Sequence, residues 1–163
     1  MQENEKIRAE LLQLVEDLSD DELNERVEEN SWTIMQVLQH LHLLEKVVAK
    51  SISKSLLTDH VNPTSEKPIH LTTDRRKKID APPFVSPTEE YITLAEMKIM
   101  LEESRSQFIH ALSGIPEELL ENKSFPHPVF NDLSIKQWIP FIGLHEKRHM
   151  KQIEELKGKL SKV

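Results

Sequence analysis

In four separate stretches of this chain, apolar residues recur at intervals of three and four. That is the period of an α-helix burying one face, and a chain that carries it four times is built to pack helices on helices. The first stretch, about residues 2–19, aligns Ile7, Leu11, Leu14, Val15 and Leu18. The second begins near Thr33 and extends to about Leu57, with Ile34, Val37, Leu38, Leu41, Leu44, Val48 and Ile52 in one stripe. The third begins at Thr93 and carries Met97, Leu101, Ser104, Phe108, Ala111 and Leu112. The last runs from near Ser134 to about Lys157. Three of the starts have the form of a capping box: Thr33 with Gln36, Thr93 with Glu96, and Ser134 with Gln137. The third helix ends at Ser113-Gly114-Ile115-Pro116, where glycine takes the left-handed position and proline blocks continuation. Pro140 falls inside the last helix and should remove a backbone hydrogen bond or mark a kink.

The predicted fold is all-α, a four-helix bundle with one long crossover loop between its second and third helices. With 163 residues, a single domain spanning 1–163 is expected. Three glycines and 5% aromatic residues argue against a β-sandwich or barrel. The connection, about residues 58–92, has no clear period and holds Pro63, Pro68, Pro82, Pro83 and Pro87. A connection of that length reads as a functional lid or as disorder. Its basic run, Arg75 to Lys78, reads first as a solvated loop. Further on, Pro116–Glu121 suggests one helical turn and Phe125–Pro128 an extended segment.

Composition narrows the chemistry. The chain has no cysteine, which removes disulfides, thiolate metal sites and cysteine nucleophiles. A net charge of −7 opposes nucleic-acid binding, because phosphate contacts need Lys and Arg. No apolar run approaches a membrane span and no targeting segment is visible, so the expected location is cytoplasmic.

The eight histidines then stand out. His145 and His149 are four apart, hence on one helix face one turn apart. They fall among Ile135, Trp138, Ile142, Ile153, Leu156 and Leu160. Two imidazoles on a buried stripe need partners, either separate hydrogen bonds or one shared divalent ion. The second helix offers His40 and His42, which point about 160° apart, almost equally far from the centre of its stripe. Periodicity does not choose between them. Glu45 lies nearer that centre, as a candidate ligand, ligand-supporting group or catalytic base. Glu146 projects roughly 100° away from His145 and is a weaker candidate base. His60, His70, His110 and His127 read as surface residues, with His127 a weak candidate for the mouth of a site.

Two segments carry a family likeness. Ser31-Trp32-Thr33-Ile34-Met35-Gln36-Val37-Leu38-Gln39-His40-Leu41 resembles the start of the second helix in the DinB-like (YfiT-like) superfamily. His145-Glu146-Lys147-Arg148-His149-Met150-Lys151-Gln152-Ile153 resembles that family's last helix, and Ala81-Pro82 through Arg105 its loop and third helix. The resemblance spans roughly residues 5–157. It implies an up-down-down-up bundle and a metal triad of His40, His145 and His149 holding nickel, zinc or a related ion. It implies an enzyme acting on a small-molecule substrate, either a thiol S-transferase using a low-molecular-weight thiol such as bacillithiol or a hydrolase. On the transferase reading, the Arg75–Lys78 run and the Pro82-Pro83 loop would form an entrance for an acidic thiol. The competing expectation is a bundle that acts by association, binding metal or not, as a homodimer.

Overall fold

The computed structural model describes residues 1–160. The elements are α1 (Gln2–Val15), α2 (Asp20–Leu23), α3 (Ile34–Ser55), α4 (Leu94–Leu112), α5 (Glu117–Asn122), β1 (Ser124–His127), β2 (Asn131–Ser134) and α6 (Ile135–Gly158). The four long helices are those the apolar stripes predict. Helix α1 stops at Val15, four residues earlier than expected, because Ser19 opens α2 with its own capping box to Glu22. Thr33 with Gln36 and Thr93 with Glu96 form the predicted boxes in full. Ser134 caps α6 through the Gln137 N–H, but the Gln137 side chain bonds to the Lys67 backbone instead of turning back.

The chain path follows from which residues meet. Asn4 reaches Ile139 and Lys157 reaches Leu14, so α1 and α6 run the same way. Arg8 meets Leu101 and Glu5 meets Arg105, so α4 opposes α1. His42 meets Met100 and Glu45 meets Ser104, so α3 runs with α4, and therefore against α1 and α6. This is the up-down-down-up order. It explains the crossover: α3 has 22 residues, so the chain must climb back about 33 Å before α4 can run parallel to it.

The crossover is ordered. It contains two short 3-10 turns, Ile69–Thr73 and Pro83–Val85. Cationic side chains tie it down by donating to its backbone carbonyls. Lys123 Nζ donates to Ser55, Thr58 and His60, and Lys67 Nζ donates to Ser65 and, across the loop, to Asp132. Arg148 of α6 donates to Thr72, Asp74 and Lys77. The segment expected to be merely extended, Phe125–Pro128, enters a hairpin in which Ser124 pairs with Ser134 and His127 with Asn131. Asn131 takes a left-handed φ of 61° to close its turn.

The apolar core falls into two bodies. One gathers Leu11, Val15, Leu38, Leu41, Leu101, Ile153 and Leu156; the other gathers Val48, Ile52, Phe108, Trp138, Phe141 and Ile142. Between them every long helix contributes polar residues at the same height: Arg8, then His40, His42 and Glu45, then Ser104 and Arg105, then His145, Glu146 and His149. The site occupies one flank of this belt.

Candidate metal centre

Helix α3 carries His40 seven residues into its stripe, and α6, antiparallel to it, carries His145 and His149 one turn apart. The crossing brings the three rings together. His40 Nε2 lies 3.2 Å from His145 Nε2, which in turn lies 3.2 Å from His149 Nε2. One ligand atom from each ring falls within 4.8 Å of the others. His40 and His149 are buried, and His145 is the most exposed residue of the three.

The far sides of the rings decide their protonation. His40 Nδ1 is 2.8 Å from the Val85 carbonyl and His149 Nδ1 is 2.7 Å from Gln152 Oε1. Both partners accept, so both Nδ1 atoms must carry the proton and donate it. The two Nε2 atoms are left as bare lone pairs, both facing His145 Nε2. A single proton on that third nitrogen can bond only one of them. A cation satisfies all three. Burial also keeps the rings neutral: it pushes His40 down, His149 down to about 3 and His145 well below the usual histidine range. The donor set thus fits a divalent ion that takes nitrogen ligands.

The tie between the two histidines of α3 is resolved by geometry. His42 is buried on the other side of α3, towards the Met100 backbone and Glu103 of α4, away from the triad. Glu45 is 1% exposed and its oxygens are occupied by Ser104, Arg8 and Arg105. Glu146 also lies within this network, with Arg8 Nε at 2.9 Å, and burial raises its carboxyl against the pull of both guanidiniums. Sequence reasoning missed Arg8 and Arg105 as the partners of Glu45. The one available signal was that a carboxylate near an apolar stripe demands them.

His60, His70 and His110 are exposed as expected. His127 is not a free surface residue. It is half-buried against Phe141, Phe130 and Trp138, with ring centroids 4.6, 4.9 and 5.3 Å away. Phe141 also lies 5.7 Å from His145, and Trp32 lies 5.0 Å from His40, so aromatic rings flank the triad on both sides. The basic run is mostly spent locally: Arg75 pairs with Glu155 and Arg76 with Asp74.

Residues 3–153 match the family model of the DinB superfamily. The chain is 36% identical over 146 residues to the uncharacterized protein YuaE of Bacillus subtilis (strain 168), covering 90% of each. Two solved structures share the fold. One is TT2238, described as a four-helix bundle protein, with 19% identity, 94% of both chains covered and a TM-score of 0.64. The other is YfiT from Bacillus subtilis, described as a probable metal-dependent hydrolase with an unusual four-helix bundle topology. It has 18% identity and a TM-score of 0.64, covering 97% of this chain and 83% of its own.

Proposed function

The chain belongs to the DinB superfamily, and from that premise we propose that it is a metal-dependent enzyme for a small molecule, with His40, His145 and His149 as the ligands. The observation that carries this reading is the pair of bare Nε2 lone pairs aimed at a third ring nitrogen. Bound there, a nickel or zinc ion would keep its full charge and acidify a water or thiol drawn into its open position. Val85 and Gln152 hold His40 and His149 in the ligand tautomer. Phe141 and Trp32 pack against His145 and His40 and give the triad apolar neighbours.

Transfer of a low-molecular-weight thiol is the preferred reaction, because it needs no carboxylate base at the ion. Hydrolysis is the second reading, supported by the likeness to YfiT. On that reading Glu45, the base favoured from sequence, would have to leave Arg8 and Arg105 to act. Untagged protein equilibrated with nickel or zinc should retain about one ion per chain and lose it in His145→Ala. Retention of no ion, with thermal stability indifferent to chelators, would remove the enzyme reading and leave an interaction bundle, alone or as a homodimer. With metal loaded, turnover of chlorodinitrobenzene only when a small thiol is added supports transfer, and thiol-independent ester cleavage supports hydrolysis.

A further inference from the structure

The hairpin between α5 and α6 has no part in the ligand set, yet it places one side chain beside it. His127 ends β1, and its Nδ1 accepts two backbone hydrogen bonds across the turn, from Val129 N–H at 3.0 Å and Phe130 N–H at 3.2 Å. A nitrogen that accepts twice carries no proton, so the ring proton sits on Nε2. The tautomer is therefore set by the turn, opposite to that of His40 and His149, whose Nδ1 atoms donate. Among the described residues, no group receives the His127 Nε2–H. The ring is held edge-on against Phe141 at 4.6 Å, and Phe141 is the residue one helical turn before His145. Because β2 runs directly into α6, the hairpin is anchored to the helix that bears two of the three ligands.

We infer that His127 is a substrate-binding residue: its Nε2–H donates a hydrogen bond to the anionic or carbonyl oxygen of the small molecule that binds at the triad. This rests on the metal reading above. It narrows the substrate to one that offers an acceptor oxygen beside the group drawn to the ion.

Two substitutions separate this role from a structural one. In His127→Asn the side-chain oxygen takes the place of Nδ1, so the turn keeps its acceptor but the distal donor is gone. In His127→Gln the amide nitrogen reaches the place of Nε2, so the donor stays but the turn acceptor is lost. The probe is acetohydroxamate titrated into cobalt(II)-loaded protein, read by the visible bands of the ion. The expected result is that His127→Asn loads cobalt normally but binds the hydroxamate about tenfold more weakly, the usual order for a hydrogen bond to a charged acceptor. His127→Gln should recover most of that loss despite a less stable hairpin. Unchanged binding by His127→Asn overturns the assignment, as does weaker binding by His127→Gln than by His127→Asn. A parent protein that takes up no cobalt overturns the metal reading itself, a result distinct from normal uptake with no effect of the substitution.

Discussion

A histidine's role is set by whichever of its two nitrogens is committed first. In His40 and His149 a carbonyl oxygen claims the Nδ1 proton and leaves Nε2 a bare lone pair; in His127 two N–H groups claim Nδ1 as an acceptor and leave Nε2 as a donor. That logic explains what sequence shows and hides at this scale. The spacing of His145 and His149 on an apolar stripe is legible because helical period alone puts both rings on one face. His40 against His42 is not, because both lie near the edge of their stripe and only the position of α6 decides. His127 shows in the sequence only as a weak candidate, since its burial depends on aromatic residues of α6 that are adjacent only after folding. Its burial has a consequence for pH. Desolvation lowers its pKa to about 4 from the usual 6.5. Between these values the unfolded chain binds the proton and the folded chain does not, so the contribution of the neutral ring is present above pH 6.5 and lost as pH falls towards 4. Urea titrations across that range, run on parent and His127→Asn protein alike, should show the parent's advantage shrinking as acidity rises. A difference independent of pH would place the ring in water and refute its burial.

Among the elements, the four helices were legible because stripe, capping box and the Gly114 stop all agree locally. The crossover was not, because it is held by lysine and arginine contacts to distant parts of the chain rather than by a period of its own. Arg148 shows the principle. It lies between His145 and His149 in α6 and spends its guanidinium on three crossover carbonyls. The same crossover carries Val85, whose carbonyl fixes the His40 tautomer. One helix thus bears two histidines of the triad and also fastens the loop that orients the third. Replacing Arg148 by Ala should free the segment around residues 72–77, which contains the trypsin sites Arg75, Arg76 and Lys77. Losing three hydrogen bonds from one charged group should raise cleavage there by at least about tenfold under native conditions. Equal cleavage rates in the two proteins, measured by mass spectrometry of the early fragments, would show that the clamp holds nothing.

Across the whole molecule, the polar belt that divides the core serves two ends in two different ways. On one flank the imidazoles are neutral and wait for a charge; in the middle Arg8, Glu45, Arg105 and Glu146 balance two positive charges against two negative ones. Such a network touches all four long helices, so it is well placed to fix their relative height and hence the meeting of His40 with His145. It is not an obvious source of stability. The side-chain exposures are 9% or less, so each charge has given up nearly all its water, and Glu146 Oε2 finds no partner. Removing one member leaves a buried charge uncompensated and costs about 3–5 kcal/mol, whereas replacing a whole buried network by apolar groups of similar size is often neutral. Arg105→Met alone should therefore lower the unfolding free energy by an amount in that range. The fourfold variant Arg8→Met, Glu45→Leu, Arg105→Met, Glu146→Leu should recover at least about 2 kcal/mol of it in urea titrations. If the belt sets helix height, the fourfold variant will be stable yet take up cobalt with altered visible bands, because the rings no longer meet squarely. Recovery of stability with bands identical to the parent's would show that apolar packing alone aligns α3 with α6. A fourfold variant no more stable than Arg105→Met would show instead that the charges hold the bundle together.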